Sequence, residues 1–170
     1  TIRLWMPSPD GCRLVIGTGV GAATTVRVVE VATGEVLLDL GVRTGVAFFA
    51  WAGDGSGFWH QAMSMTTAAD GTPAPRTDIW WQPLEGAAER HDLELDHPVG
   101  WPVVSADGRW TAVLADQTGP RPRWIRGKHG GWRRFLESAS AMYKGCFVGD
   151  EFWAVSDDTS GWCRLVAIPV

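Results

Sequence analysis

Apolar and polar positions alternate with period two over short runs of the chain, and nearly every run ends at a glycine-bearing turn. Such alternation predicts half-buried β-strands, because successive side chains of a strand point to opposite faces. The clearest turn is Ser8-Pro9-Asp10-Gly11, between the runs 2–6 and 12–17. Asp54-Gly55 follows Phe48-Phe49-Ala50-Trp51 and precedes Gly57-Phe58-Trp59, and Asp107-Gly108 lies between Trp101-Pro102-Val103-Val104 and Trp110-Thr111-Ala112-Val113. A degenerate copy, Gly149-Asp150, separates Cys146-Phe147-Val148 from Phe152-Trp153-Ala154-Val155. Asp-Gly predicts a tight hairpin, with glycine supplying the positive φ of a primed turn and Asp bonding the local backbone.

The four aspartates are spaced 44, 53 and 43 residues apart. A unit of roughly 40–50 residues built from short strands is the period of a β-propeller blade. The first unit then has strands at 2–6, 12–17, 25–31 and 36–40, with a loose loop at 18–23 and a hairpin at Ala32-Thr33-Gly34-Glu35. The second has strands at 45–51, 58–63, 78–82 and 89–95. Its long connection, 64–75, is rich in Thr, Ala, Gly and Pro, and Asp70-Gly71 is a loop tip within it. The third runs through 99–104, 109–115, 121–126 and 132–136, and the fourth shows only 143–148, 151–155 and 163–168. The expectation is an all-β chain, one partial propeller domain spanning 1–170. Its consecutive four-stranded antiparallel blades fall at 1–43, 44–96, 97–139 and 140–170, the last incomplete.

Composition adds weight to the all-β reading. The 170 residues are 45% hydrophobic and 20% charged, within the ordinary globular range, but they include 11 Trp and 21 Gly beside a single Tyr. Net charge is −4, which gives no electrostatic reason to expect nucleic acid or an anionic membrane as partner. Cys12, Cys146 and Cys163 form no C-x-x-C, so neither a zinc site nor a disulfide framework is predicted, and a reducing, cytoplasmic setting follows. The sequence starts and stops inside strand-like runs, without the polar capping unit that finishes repeat arrays. It therefore reads as part of a longer chain, whose cut faces would self-associate.

Candidate chemistry is sparse. Gly17-Thr18-Gly19-Val20-Gly21-Ala22 superficially matches a dinucleotide-binding loop with Glu30 downstream, but the spacing to the acid is short and a β-branched run follows where a helix is needed. A strand connection explains it. Ser56 lies in no G-x-S-x-G elbow, and His129-Gly130-Gly131 reads as a hairpin turn rather than an oxyanion loop. His60, His91, His97 and His129 show no metal-ligand spacing. Asp92, Glu94 and Asp96 would share one strand face, as a cation site or, more plainly, as charges that discourage edge pairing. Arg121, Arg123, Arg126, Lys128, Arg133 and Arg134, interleaved with Trp124 and Trp132, have the composition of a single-strand binder or of a solvated hairpin. No catalytic, cofactor-binding or metal residues are assigned.

Three stretches together resemble a known family. Trp5-Met6-Pro7-Ser8-Pro9-Asp10-Gly11, then Val26-Arg27-Val28-Val29-Glu30-Val31-Ala32-Thr33-Gly34-Glu35-Val36, then Ala50-Trp51-Ala52-Gly53-Asp54-Gly55-Ser56-Gly57-Phe58 are similar, in order and spacing, to the propeller of the prolyl oligopeptidase family of serine peptidases. The resemblance implies a segment of a seven-bladed propeller that caps a C-terminal α/β-hydrolase domain bearing a Ser-Asp-His triad. It also implies a role in restricting entry, so that short peptides reach the serine and folded proteins do not. None of the family's catalytic residues falls on this chain, so the chain alone is expected to be inactive. Gly53 replaces the proline of the second turn, and Trp59-His60 stands where the family often has paired tyrosines. The rival expectations are a non-enzymatic propeller that serves as a protein-interaction module and a two-sheet β-sandwich.

Overall fold

A computed structural model describes residues 1–20, 23–44, 48–68, 70–95, 97, 99–116, 118–137, 141–157 and 162–170. It is all-β: the described residues form four antiparallel sheets, in which strands pair with their neighbours in sequence. The chain divides into two compact units, Thr1–Leu93 and Glu94–Val170. Among the described residues no helix is long and apolar enough to cross a membrane.

The first unit holds sheet one, β1 (Ile2–Pro7), β2 (Arg13–Val20), β3 (Ala23–Glu30) and β4 (Val36–Thr44). It also holds sheet two, β5 (Phe49–Trp51), β6 (Gly57–Thr67), β7 (Pro73–Pro83) and β8 (Glu89–His91). The second unit holds sheet three, β9 (Gly100–Val104), β10 (Trp110–Ala115), β11 (Arg121–Gly127) and β12 (Arg133–Arg134). Sheet four has three strands, β13 (Tyr143–Val148), β14 (Glu151–Ser156) and β15 (Arg164–Pro169).

The Asp-Gly turns open the first three sheets with one and the same backbone. The amide of Ser8 donates to Arg13 O and that of Gly11 to Ser8 O; Ala52 and Gly55, then Ser105 and Gly108, repeat both bonds, all six at 2.9 Å. The glycines sit at φ 71°, 68° and 69°, while the aspartates before them do not have positive φ. The glycines take the positive φ expected of them, but the turn is not of the primed kind. The loop is instead a tight turn closed by an i to i+3 bond, followed by a left-handed glycine, which suits longer hairpins. Only the fourth copy is a two-residue loop, Gly149-Asp150 between the paired Val148 and Glu151.

Each unit has a core between its two sheets. Val15, Val26 and Val28 of sheet one pack with Phe49, Trp51 and Phe58 of sheet two, and the Trp51 indole donates to Met6 O at 3.0 Å. In the second unit Ala112, Leu114, Ile125 and Phe135 pack with Phe147, Phe152 and Ala154. Burying a side chain such as Phe58 or Phe152 contributes on the order of 2–3 kcal/mol. Both residues are fully buried.

Three other expectations change. The segment 64–75 is a hairpin rather than a long loop: β6 and β7 stay paired out to Thr67 and Pro73, and Asp70-Gly71 is its tip. Asp70 there accepts the Thr72 amide at 3.0 Å and its hydroxyl at 2.6 Å. Strands β2 and β3 run through Val20 and resume at Ala23, which replaces the loose loop at 18–23. Strand β8 ends at His91, well short of residue 95. Val46 and Ala47 of the expected strand 45–51 lie outside the described residues.

Candidate functional site

The turn of sheet two stands beside a cleft in the first unit. Strand register sets Gly57 opposite Pro83, and the Leu84 amide donates to Ser56 O at 3.0 Å, so the β7–β8 connection is laid against the Asp54-Gly55 turn. A Cβ at Gly57 would lie 2.8 Å from the Trp81 ring and 2.5 Å from Gln82 O, so only glycine lets that indole lie over β6. Arg13, from sheet one, donates to Gly55 O at 3.3 Å and forms another wall. The resulting cleft measures about 450 Å³ and is lined by Arg13, Asp54, Ser56, Trp81, Leu84 and Glu85, with Gly55 and Pro83 between them.

Its chemistry is that of a side-chain pocket. The Trp81 ring, 5.2 Å from that of Trp59, gives an aromatic wall, and Pro83 and Leu84 give an aliphatic one. Asp54 Oδ1 accepts the Ser56 amide at 3.1 Å and the Ser56 hydroxyl at 2.6 Å. The guanidinium of Arg13 is directed at the turn carbonyl. Glu85 is exposed and, among the described residues, has no hydrogen-bond or ion-pair partner.

A second, smaller cavity of about 50 Å³ lies among Arg43, His60, Ala62, Trp80, Gln82 and Ala88, room for one or two water molecules. His60 stacks nearly parallel on Trp80, with ring centroids 6.4 Å apart. Burial pushes its pKa down to about 4 and the charge of Arg43 adds to that, against the opposing effect of Gln61 O. The imidazole is therefore neutral in ordinary buffers. Among the described residues that line the cavity there is no carboxylate or hydroxyl, and the His60 ring packs on Trp80.

The residues singled out by sequence are dispersed. Gly17–Val20 is strand, paired Val20 to Ala23, so no helix N-terminus follows to hold a phosphate; residues 21 and 22 lie outside the described set. His129-Gly130-Gly131 is exposed in the hairpin turn after β11, with the Gly130 amide spent on Gly127 O. His91 lies 3.5 Å from Glu89, and His97 accepts the Val99 amide at 3.1 Å while its other nitrogen lies 3.9 Å from Asp116. The expected acidic face fails because β8 ends early: Asp92 pairs with Arg76, Glu94 pairs with Arg134 at 2.8 Å, and Asp96 is outside the described residues. Among the described residues no group of three or more His, Cys, Asp or Glu could hold a metal ion. The three cysteines are exposed free thiols.

The basic stretch is built into sheet three. Arg123 donates to Leu136 O and Glu137 O at 3.3 and 3.0 Å, bracing a leucine held at φ 52°. Arg134 lies over the Trp124 ring at 4.2 Å, Arg126 over Trp132 at 5.6 Å, and Arg121 bonds Asp116 at 3.2 Å. Donors from Thr118, Gly119 and Arg121 hold the Asp116 carboxyl well below the usual carboxylate range.

Trp81, Leu84 and Glu85 carried no signal in the sequence beyond a strand end and a turn. One comparison would have marked the site: the second residue after each turn aspartate is Arg109 in the third copy and Ser56 in the second. No family model matches the chain, and no curated protein matches its sequence.

Proposed function

We propose that the chain is a propeller segment of a prolyl oligopeptidase-like serine peptidase. It gates and selects peptide substrates for a C-terminal α/β-hydrolase domain that lies outside these 170 residues. What carries the reading is the repetition of one turn backbone at the head of three successive four-stranded meanders, in the order and spacing of the family's propeller motifs. Radially repeated four-stranded meanders are the unit of a propeller. On this reading the hydrolase supplies the nucleophile, the parent works in the cytoplasm, and this chain by itself hydrolyses nothing.

The test is made on the full-length parent protein. The expected outcome is that a fluorophosphonate labels one serine, in a G-x-S-x-G elbow downstream of this segment, and that short peptides are cleaved while a folded protein is not. A parent that has no such elbow and takes no label would replace the reading with that of a non-enzymatic interaction module.

A further inference from the structure

The small cavity beside His60 is lined by Arg43, Trp80 and Gln82 with two alanines, and by no carboxylate. Arg43 stands at the end of β4, and its register partner Thr24 shares a face with Val26 and Val28, so β4 carries this arginine on the side that packs against sheet two. It is exposed and, among the described residues, has no hydrogen-bond or ion-pair partner. Gln82, only 4% exposed, spends one hydrogen of its amide nitrogen on Pro83 O at 2.9 Å and keeps the other. His60, as deeply buried, has Nδ1 3.4 Å from Gln61 O. A carbonyl only accepts, so the neutral ring carries its proton on Nδ1, and its Nε2 is a lone pair that no described residue bonds.

The other charges on this face add to the imbalance. Arg90 pairs with Trp80, which pairs with His60, so the three share one face, and Arg90 also lacks a partner among the described residues. The strand carboxylate on that face, Asp78, is taken by Ser64 at 3.0 Å and Arg76 at 3.1 Å, and Arg76 pairs with Asp92 as well. From β5 comes only the uncharged Phe49 ring.

We propose that the cavity binds a carboxylate group of another molecule, and that His60 takes a proton from solvent as it does so. At about 50 Å³ the cavity has room for one or two waters, and the two carboxylate oxygens take those places while the rest of the ligand lies at the mouth. Nε2–H of the imidazolium and the spare hydrogen of Gln82 donate to the oxygens, and the Arg43 guanidinium supplies positive charge beside them. Without the anion, burial and the charge of Arg43 keep the ring neutral. A lone carboxylate or a lone imidazolium is costly to bury, whereas the pair cancels, so proton and anion enter together. Phosphate and sulfate carry four oxygens around one centre and exceed this volume. The site does not depend on the peptidase reading above, and fluorophosphonate labelling has no bearing on it.

The experiment follows the His60 ring signals of the 170-residue chain by NMR as pH is lowered, in sodium formate, chloride and sulfate at equal ionic strength, with His60→Leu to assign them. In chloride the ring titrates at about 4. In formate its midpoint is expected to rise by about one unit or more, a gain of about tenfold in proton affinity, while sulfate acts like chloride. Arg43→Gln, at an exposed position, should raise the chloride midpoint slightly and remove most of the rise in formate. If the chain unfolds in acid before the ring titrates, the formate affinity, read from the Trp80 indole signal between about pH 7 and 6, is expected to strengthen as pH falls. N-acetylglycylglycine in place of formate separates the sources: the same rise, absent with its C-terminal amide, assigns the carboxylate to a peptide end, and no rise assigns it to a small free acid. A midpoint equal in formate and chloride, an equal rise in sulfate, a rise that Arg43→Gln leaves intact, or a formate affinity indifferent to pH would overturn the proposal.

Discussion

Arg109 and Asp150 are 41 positions apart in sequence and 2.7 Å apart in space, which ties the turn of sheet three to the turn of sheet four. Asp107 lies on the other side of the same guanidinium, and its carboxyl is held well below the usual range by the Arg109 amide, the Ser105 hydroxyl and the Arg109 side chain. A depressed carboxylate contributes stability that is present above its unfolded pKa and is lost as pH falls through the folded one. Because Arg109 and Asp150 are half exposed or more, solvent screens the pair and its share is small. Arg109→Gln should therefore lower the thermal midpoint only slightly at neutral pH. The difference from the parent should shrink in about 1 M salt, where the screening length falls to about 3 Å. A drop that salt leaves unchanged would show that Arg109 acts through packing instead.

The serine two residues before the turn aspartate in sheets one and three has a larger task. Ser8 Oγ accepts the Arg13 amide at 2.9 Å and donates to Asp10 at 2.5 Å; Ser105 does the same with Trp110 and Asp107 at 2.9 and 2.7 Å. Both serines are buried. Removing the hydroxyl strands an amide, so Ser8→Ala or Ser105→Ala is expected to cost about 1–2 kcal/mol in urea unfolding. Sheet two already has Ala52 at that position on the same backbone. Ala52→Ser is therefore expected to stabilise by about 0.5–1 kcal/mol. A neutral or destabilising result would mean that the second turn is not equivalent to its neighbours in detail.

His60 gives the chain a pH dependence of opposite origin. Its folded pKa is about 4 against an ordinary value of 6.5, so between those limits the unfolded chain binds the extra proton and stability falls as the solution is acidified. The slope from this one group approaches about 1.4 kcal/mol per pH unit, and the whole loss is about 3 kcal/mol by pH 4. Above pH 6.5 the ring is neutral in both states and contributes nothing to the dependence. His60→Leu removes the titration and should flatten the curve between pH 6.5 and 4, measured by urea unfolding at constant ionic strength. An unchanged slope would assign the acid sensitivity to other groups.

Strand placement was legible where one face of a strand is buried, as in β3 and β14, because burial is what writes alternation into a sequence. The outer half of the β6–β7 hairpin was not. Residues such as Ser64, Met65, Thr66 and Thr67 are exposed on both faces and carry no alternation, and Pro73 and Pro75 read as breakers. Its end therefore looked like a loop. The three-residue β8 failed in the other direction, since Leu93 and Leu95 continue an apolar alternation that the ladder does not follow. The cleft was invisible for a different reason. Arg13, Asp54 and Glu85 belong to three separate stretches, and only the pairing of Gly57 with Pro83 and the bond from Arg13 to Gly55 assemble them.

The fourth sheet has one buried face and one apolar face that faces solvent. Phe147, Phe152 and Ala154 are in the core, while the alternate positions Val148, Trp153, Val155 and Leu165 are 56%, 36%, 42% and 63% exposed. The first sheet is the mirror case, with Val15 and Val28 inside and Trp5 65% exposed on the row Trp5, Ile16, Arg27, Asp39. Within each unit the later sheet always offers the face of its aromatic cross-strand pair, Trp51–Phe58 or Phe147–Phe152. On sheet one the corresponding face carries Pro7–Leu14 and Trp5–Ile16, and sheet four exposes the face that an earlier sheet uses. The prediction is that a second copy of the 170-residue chain covers these exposed apolar positions, its first sheet on the fourth sheet of another. Such a head-to-tail contact does not close by itself. Three strands spaced about 4.8 Å apart and six residues long cover only about 300 Å², against the roughly 800 Å² per partner of a stable complex, so the association should be weak. Light scattering is expected to show a mass that climbs with concentration, and Leu165→Glu, at an exposed position, should return it to the monomer value. A mass that stays monomeric at every concentration, or one indifferent to Leu165→Glu, would mean that these faces are not complementary.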